Sequence, residues 1–206
     1  EAPEQWKISY DLKHQQSKAN IVFRLGLTSF KHVGIFPEQA SNWDFIFKHV
    51  QQMQGAGIAS PKVLNLFAYT GGASLAAKSA GADVTHVDSI KQVVTWANEN
   101  SQLSKLNDIR WVVEDALKFV KRELKRGNKY HGIILDPPAF GHGPNGEKWK
   151  LEEQLNEMVS HVLELLHDDQ HFLILNAYSL GLSSLILENL LIHKAKENLE
   201  IGELFL

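Results

Sequence analysis

The sequence predicts an α/β fold, in which a Rossmann-like, mostly parallel sheet carries helices on both faces and follows a small β-rich N-terminal extension. Three observations support this fold. From Pro61 onwards, short apolar segments alternate with segments of helical periodicity, a rhythm typical of parallel sheets. Two of the apolar segments end in turns rich in glycine or proline. Before residue 37, apolar and polar residues alternate as in half-buried strands. We therefore assign residues 1–36 to the extension and residues 37–206 to the main domain.

The composition is that of an ordinary globular protein of 206 residues, of which 44% are hydrophobic and 22% are charged. The formal net charge of −3 is unlike the strongly basic character of a dedicated nucleic-acid module, so RNA or DNA could bind only through a local patch. The chain has no cysteine, which rules out disulfides, thiolate metal sites and cysteine nucleophiles and fits a reducing, cytoplasmic location.

The sequence predicts neither a membrane partner nor a bound metal. It starts with Glu1 and lacks a basic-then-apolar leader, so we expect no signal peptide. The apolar window of residues 172–192 is long enough to span a bilayer, but Asn176 and Glu188 interrupt it. We interpret this window as a buried strand followed by a helix. The ten histidines show no spacing typical of metal ligands.

The extension contains two predicted strands, at residues 6–10 and 21–27, joined by a polar hairpin loop at residues 13–18. Pro37 can open a helix at its first turn, and apolar residues then recur at helical spacing until Gly55. The apolar residues of this helix are Trp43, Ile46, Phe47, Val50 and Met53.

Five strands, with helices between them, form the predicted main domain. The strands are predicted at residues 63–67, 83–87, 109–113, 133–135 and 172–175. Helices are predicted at residues 73–79, 116–126 and 183–196. Another helix begins near residue 89 and carries Ile90, Val93, Val94 and Ala97 on one face. A further helix begins at residue 151, after a Gly/Pro-rich loop at residues 141–146. Residues 199–206 are expected to begin another extended segment.

The turn after the first strand of the main domain, at residues 68–72, suits a nucleotide-like ligand. Gly71 and Gly72 permit positive φ and let the backbone approach a ligand closely. The start of the following helix also offers free N–H groups to a carboxylate. A plain strand-to-helix connection is the alternative interpretation.

The next two strands end in acidic residues. Asp88 is placed to accept both hydroxyls of a ribose, and Asp115 could contact an adenine edge together with the backbone N–H of Ala116. Either carboxylate alone could instead cap the following helix, but the series of acidic strand ends favours a nucleoside cofactor. A nicotinamide dehydrogenase agrees less well, because the G-x-G-x-x-G pattern is absent.

The fourth strand runs directly into Asp136, Pro137 and Pro138. The two prolines fix φ and remove backbone donors, which leaves carbonyl groups free to accept hydrogen bonds. Such a rigid turn could orient an amine or a ring nitrogen against a methyl donor, with Phe140 stacking on a planar base. Methyl transfer depends on positioning and desolvation rather than on a metal or a covalent residue. A purely structural proline turn is the alternative.

Residues 65–72, Asp88, Asp115 and residues 136–140 together resemble the class I S-adenosylmethionine-dependent methyltransferases. The chain looks most like the branch that contains the bacterial large-subunit ribosomal RNA methyltransferases, to which residues 36–39 and 143–150 are also similar. The resemblance extends over roughly residues 20–180 and implies a Rossmann-like methyltransferase sheet.

The resemblance implies S-adenosyl-L-methionine as the cofactor. Its methionine end would lie against Tyr69, Thr70 and Gly71, with Asp136 beside the reacting methyl group. The ribose would bind Asp88 and the adenine amine Asp115. The predicted cofactor-binding residues are Phe36, Gln39, Phe67, Ala68, Tyr69, Thr70, Gly71, Asp88, Ser89, Asp115, Ala116 and Asp136. The predicted catalytic residues are Asp136, Pro137 and Phe140, and the candidates for substrate contacts are Pro138, Lys148 and Lys150.

Two departures from that branch bear on the methyl acceptor. Members that methylate carbon 5 of cytosine use a cysteine after the fifth strand, where this chain has Asn-Ala-Tyr-Ser at residues 176–179. Carbon 5 needs a covalent partner at carbon 6, so this reaction is excluded and nitrogen acceptors remain. Phe140 lies one place later than the tyrosine in the Asp-Pro-Pro-Tyr of amine methyltransferases, which leaves the target atom open.

The sequence thus predicts a methyltransferase that acts on a base nitrogen of ribosomal RNA. A methyltransferase for a small molecule or a protein side chain is the alternative, and a non-catalytic nucleoside-binding protein of the same fold is a third hypothesis. A basic cluster at residues 118–129 is interpreted as a solvated helix face, so Lys148 and Lys150 are the better candidates for phosphate contacts. The sequence carries no signal for the oligomeric state.

Overall fold

The computed structural model describes residues 4–27, 33–178, 184–192 and 199–204. The chain begins with strands β1 (Gln5–His14) and β2 (Ser17–Gly26), a 3-10 turn (Pro37–Gln39) and helix α1 (Ala40–Gly55). It continues with β3 (Lys62–Leu66), α2 (Gly72–Ser79), β4 (Asp83–Asp88), α3 (Lys91–Leu103), β5 (Ile109–Val113), α4 (Ala116–Lys125), β6 (Gly132–Leu135), β7 (Phe140–His142), β8 (Lys148–Lys150), α5 (Leu151–Leu165), β9 (Phe172–Leu175) and α6 (Ser184–Ile192).

The central sheet has five strands in the order β5-β4-β3-β6-β9, and every neighbouring pair is parallel. From β3 the chain first adds strands on one side and then crosses to β6 on the other side. The strand order therefore reverses between β3 and β6, where Leu66 pairs with Leu135. The carboxyl ends of these two strands lie side by side, which is where open α/β sheets bind their ligands.

Helices cover the two faces of this sheet, and each face has its own hydrophobic core. In β3, Val63 packs in the core that contains α1, α2 and the β1–β2 hairpin, whereas Leu64 and Leu66 pack in the core that contains α4 and α5. Successive side chains of a strand point to opposite faces, and burial on both faces explains why these strands are almost continuously apolar. The predicted α/β class with helices on both faces is confirmed.

The two N-terminal strands form an antiparallel hairpin whose apolar side chains join the core beside α1. The outer edge of β2 is held by side chains of α3 and of Ser104, its C-cap, rather than by another strand. Asn100 accepts from the backbone N–H of Arg24 at 2.8 Å, and the Trp96 indole donates to the Arg24 carbonyl at 2.8 Å. Ser104 accepts from the N–H of Val22 at 2.8 Å. The hairpin bears out a β-rich extension, while its limit at residue 36 stays a prediction.

Two of the predicted loops differ in detail from the structure. The expected loop at residues 13–18 is reduced to the two-residue turn of Gln15 and Gln16, because β1 and β2 continue through polar residues whose side chains face solvent. Of the expected loop at residues 141–146, residues 143–146 do form a loop, but Gly141 and His142 belong to β7 of a second hairpin, β7–β8. Exposed strand residues are polar, and in a sequence they resemble a loop.

Smaller differences concern the ends of two other segments. Helix α3 begins at Lys91 rather than near residue 89, and Ile90 is exposed instead of packing with Val94 and Ala97. Residues 199–204 contain no strand, so the expected extended segment is not observed there. The helix predicted at residues 183–196 is α6, and its remaining predicted residues lie outside the described ranges. Within the described residues, no helix combines the length and apolar character needed to cross a bilayer.

We expect Gly72→Ala to destabilise the fold, because a methyl group at Gly72 would lie 2.7–2.8 Å from the indole ring of the buried Trp43. Overpacking of this kind typically costs about 1–3 kcal/mol, measurable by urea unfolding. Gly55→Ala is the matched control, since its methyl group would meet no atom within 4 Å and alanine favours the helix. Equal unfolding free energies for Gly72→Ala and the wild type would contradict this packing.

Candidate functional site

A cleft opens where the carboxyl ends of β3 and β6 meet. Its walls come from the segment before α1, from α1 itself and from the turns that follow the two strands. The lining residues are Phe23, Ile35, Phe36, Gln39, Trp43, Asn65, Phe67, Ala68, Tyr69, Thr70, Gly71, Ala73, Ile134 and Asp136. Eight of the twelve residues predicted to bind a cofactor are therefore brought together at this one place.

The turn after β3 has an unusual backbone. Phe67 and Tyr69 adopt positive φ angles of 54° and 48°, and Gly71 has φ of 93°. The left-handed conformation is unfavourable for side chains with a Cβ by roughly 1–2 kcal/mol per residue, so the surrounding structure must hold it in place. Strain of this kind concentrates at functional sites. Gly71 also lies close to α3, where an added methyl group would be 3.2 Å from the Ala97 Cβ.

A buried polar chain lies beneath this turn. The Asn65 amide donates to the Ser74 hydroxyl at 2.9 Å, and that hydroxyl is 3.0 Å from Nδ1 of His86. Burial lowers the pKa of His86 to about 3, so its ring is neutral at physiological pH. These three residues are not among the predicted site residues. For Asn65 and His86 the signal in the sequence is a polar side chain inside an apolar strand, whereas Ser74 lies in α2.

Asp88 connects the turn after β3 to the end of β4. One of its carboxylate oxygens accepts from the N–H of Tyr69 at 2.9 Å, and the other accepts from the N–H of Ile90 at 3.0 Å. Burial raises the pKa of Asp88, against the opposing effect of these backbone donors. The carboxylate therefore supports the strained turn.

Asp115 caps helix α4, where its carboxylate accepts from the N–H of Lys118 at 2.9 Å. This hydrogen bond is the helix cap that the sequence allowed for Asp115 as an alternative to a ligand contact. Because Asp88 pairs with Val113 of β5, Asp115 lies further along the same edge of the sheet. Four predicted residues lie outside the cleft lining, namely Asp88, Ser89, Asp115 and Ala116. All four lie at or just after the carboxyl ends of β4 and β5, on that edge of the sheet.

Asp136 follows β6 and faces the cleft. Within the described part of the chain, its buried Oδ1 atom has no hydrogen-bond partner. Burial raises the pKa of Asp136 to about 6, with the negative charge of Glu38 adding to the rise and the Asn176 amide opposing it. A buried carboxylate with an unused acceptor is suited to a ligand that carries a positive charge or an N–H group.

Amide side chains and a tyrosine cover Asp136 from the side of α1. The Gln39 amide donates to the Tyr178 hydroxyl at 2.7 Å, and the Asn42 amide donates to the Gln39 carbonyl oxygen at 2.8 Å. The Asn176 amide donates to the same Gln39 oxygen at 3.2 Å. Asn42, Asn176 and Tyr178 are not among the predicted site residues. Asn176 directly follows β9, so its place at the carboxyl edge of the sheet could have been inferred.

The turn of Asp136, Pro137 and Pro138 is tied to the β7–β8 hairpin. Pro137 is buried, and the Pro138 carbonyl accepts from the Trp149 indole N–H at 2.7 Å. The expectation that the prolines leave carbonyls free is therefore wrong for Pro138, because a tryptophan eleven residues later supplies the missing donor. Phe140 is 74% exposed on the hairpin.

The basic residues divide into two groups. In and just after α4, Lys118 pairs with Glu147, Lys121 with Glu157, Arg122 with Glu114 and Arg126 with Glu123. These pairs agree with the interpretation of a solvated helix face. Lys148 and Lys150 lie on β8 and are exposed, and Lys150 forms an ion pair with Glu153 at 2.7 Å. Among the described residues, no group of three or more His, Asp or Glu side chains could hold a metal ion.

Comparisons with known proteins show which family the chain matches. A family model described as conserved hypothetical protein 95 matches residues 27–197. Two curated proteins named ribosomal RNA large subunit methyltransferase K/L are similar to the chain: that of Shewanella frigidimarina is 31% identical over 148 residues, and that of Pseudoalteromonas atlantica is 32% identical over 149 residues. The matches cover 70% and 68% of this chain but 19% and 20% of the relatives, so the chain spans about a fifth of their length.

A solved structure shares the whole architecture. The crystal structure of the SAM-dependent methyltransferase from Agrobacterium tumefaciens superposes with a TM-score of 0.81 and 41% sequence identity, over 92% of this chain and 57% of that one.

We expect Asp136→Asn to stabilise the protein above pH 6. Because burial raises the pKa of Asp136, its charged form opposes folding. The contribution of Asp136 to the free energy of unfolding is full below the unfolded-state pKa near 3.8 and is lost as the pH rises through about 6. The rise in pKa corresponds to at most about 3 kcal/mol of unfolding free energy at pH 7.5, which urea unfolding at several pH values would measure. Asp115→Asn, which keeps a capping side chain, is the control and should show no such gain. A variant less stable than wild type at pH 7.5 would show that the Asp136 charge is compensated.

Proposed function

The chain belongs to the family described as conserved hypothetical protein 95, and from that membership we propose that it is an S-adenosylmethionine-dependent methyltransferase domain whose acceptor is a nitrogen atom of a ribosomal RNA base. The observation that carries the proposal is the buried, unpartnered Oδ1 of Asp136, which faces the cleft at the reversal of strand order. The similar structure from Agrobacterium tumefaciens, described as SAM-dependent, supports the cofactor. The names of the curated relatives support a ribosomal RNA acceptor, and we place the reaction in the cytoplasm.

The residues present fit this cofactor. An orphaned buried carboxylate oxygen at Asp136 matches a ligand that carries an ammonium and a sulfonium. The cofactor, when bound, supplies an activated methyl group. We assign its methionine end to the turn of Tyr69, Thr70 and Gly71, its ribose to Asp88, and its adenine to the edge formed by Asp115 and Ala116. Ser89 would contact the ribose side of the same edge.

Aromatic side chains keep water away from the reacting groups. Phe36, Phe67 and Tyr69 all line the cleft; the ring centroids of Phe36 and Tyr69 lie 5.2 Å apart, and that of Phe67 lies 4.9 Å from that of Trp149. Exclusion of water strengthens each electrostatic contact inside the cleft and favours a displacement reaction in which charge is dispersed.

The turn of Asp136, Pro137 and Pro138 positions the acceptor. The Trp149 indole holds the Pro138 carbonyl, and the prolines fix the backbone, so the Asp136 carboxylate is presented in one orientation. A carboxylate in this place can hold an N–H group of the base or accept a proton from it. Alignment of two bound reactants is the main contribution that an enzyme can make to such a reaction.

Calorimetry with S-adenosylmethionine tests the cofactor assignment. Asp88→Ala should weaken binding by at least about tenfold, because the hydroxyl groups of the ribose lose a charged acceptor. Asp169→Ala removes an exposed acid that precedes β9, at the opposite edge of the sheet, and should leave the affinity unchanged. The affinity of the wild type should fall below pH 6 as Asp136 is protonated, and Asp136→Asn should remove this pH dependence. Absence of binding heat for the wild type would refute the cofactor assignment.

Mass spectrometry of ribosomal RNA nucleosides tests the acceptor. A strain that lacks the gene should lose one methylated base, the wild-type gene should restore it, and Asp136→Asn should not, while Asp169→Asn serves as the matched control. Transfer of labelled methyl groups only to proteins or small molecules would favour the alternative substrate class. Cofactor binding without transfer to any acceptor would instead indicate a nucleoside-binding protein.

A further inference from the structure

The short hairpin β7–β8 has two chemically different faces. Its register places Phe140 opposite Lys150 and His142 opposite Lys148, and directly opposed residues of an antiparallel pair project on the same side. These four residues, all exposed, are called here the outer face of the hairpin. One aromatic ring, one imidazole and two ammonium groups therefore share a single surface.

The inner face of the hairpin fixes it against the candidate site. Trp149 is buried, its indole donates to the Pro138 carbonyl at 2.7 Å, and its ring lies 4.9 Å from Phe67 in the cleft wall. Gly141 lies opposite Trp149 in the hairpin, close to the ring of Pro138. The outer face is thus held in a set orientation beside Asp136.

The tip of the hairpin is also ordered by contacts of its own. Glu147 pairs with Lys118 of α4 and accepts from the N–H of Asn145 at 2.9 Å. The N–H of Gly143 donates to the Glu147 carbonyl at 2.8 Å. The hairpin is therefore pre-organised, and a ligand on its outer face would lose little affinity to the ordering of a loop.

Positive charge predominates on the outer face. Glu147 is engaged with Lys118, and the acid in contact with the face is Glu153, which pairs with Lys150 at 2.7 Å. Both partners of that pair are half exposed, so the bond is weak and the Lys150 ammonium keeps donors for a phosphate oxygen. An exposed aromatic ring flanked by cations is the arrangement with which proteins hold unpaired nucleotides.

We propose that the outer face of the hairpin binds a single-stranded RNA segment next to the methyl acceptor, with Phe140 stacking on a base and Lys148 and Lys150 contacting phosphates. The proposal rests on the proposed function in that it takes RNA as the substrate. Bases within a double helix are stacked and cannot reach Phe140, whereas an unpaired nucleotide can lie on the ring and lead its neighbour into the cleft.

Fluorescence anisotropy of a labelled RNA dodecamer, single-stranded or annealed to its complement, tests this surface with the 206-residue chain. The single strand should bind more tightly than the duplex. Lys148→Glu and Phe140→Ala should each weaken binding of the single strand by about tenfold. Lys148→Glu should also lower the dependence of binding on salt, because a phosphate contact is lost.

Two control variants match these changes. Lys125→Glu makes the same charge change on the exposed side of α4, and Leu27→Ala truncates an apolar side chain that is 73% exposed, close to the 74% of Phe140. Neither should change RNA binding. The proposal is overturned if Lys125→Glu weakens binding as much as Lys148→Glu does, or if duplex RNA binds as tightly as the single strand.

Calorimetry with S-adenosylmethionine on the same variants keeps this proposal separate from the proposed function. Intact cofactor binding together with weakened RNA binding supports the outer face as the RNA-binding surface. Intact cofactor binding with unchanged RNA binding in Phe140→Ala and Lys148→Glu refutes the surface and leaves the cofactor assignment in place. Loss of cofactor binding by the wild type refutes the proposed function, whatever the anisotropy shows.

Discussion

Strands β3 and β6 pair in parallel, with Leu66 beside Leu135, and the chain leaves this pair in opposite directions. Because the connections diverge, no crossover helix covers the carboxyl ends of the two strands, and a cleft remains between them. The glycine turn after β3 and the proline turn after β6 come to lie across this cleft from each other. The position of each candidate site residue follows from this single reversal of strand order.

The site concentrates unfavourable features that the rest of the molecule compensates. Phe67 and Tyr69 are held in left-handed conformations, and Asp136 is buried without a partner for one oxygen. Asp88 stabilises the strained turn through the N–H of Tyr69, and Asn65 donates to Ser74 beneath it. Local strain that is supported from several sides is the usual condition of a pre-organised binding site.

Much of this arrangement could be predicted because it depends on local signals. Apolar strands alternating with amphipathic helices define the sheet, and residues just after those strands must share its carboxyl edge. The hairpin β7–β8 could not be predicted, because each strand has only three residues, too few for an alternating pattern, and its pairing depends on the burial of Trp149. The contact between Gln39 and Tyr178 spans 139 positions of the sequence and depends on how α1 packs near the end of β9. The helix-capping contact of Asp115 could not be predicted with certainty, because an acid after a strand fits a cap and a ligand contact equally well.

The attachment of β2 to α3 has a consequence for the order in which the molecule folds. Arg24 and its partners Asn100 and Trp96 are separated by 76 and 72 positions along the chain. During synthesis the edge of β2 therefore emerges long before α3, whose side chains bind its backbone groups. Until then the hairpin is an open template for incorrect strand pairing. Asn100 also donates to the carbonyl of Thr70, so the residue that covers the edge of β2 also contacts the turn after β3. The hairpin is thus made before α3, and the residue that holds its edge also supports the turn beside the cleft.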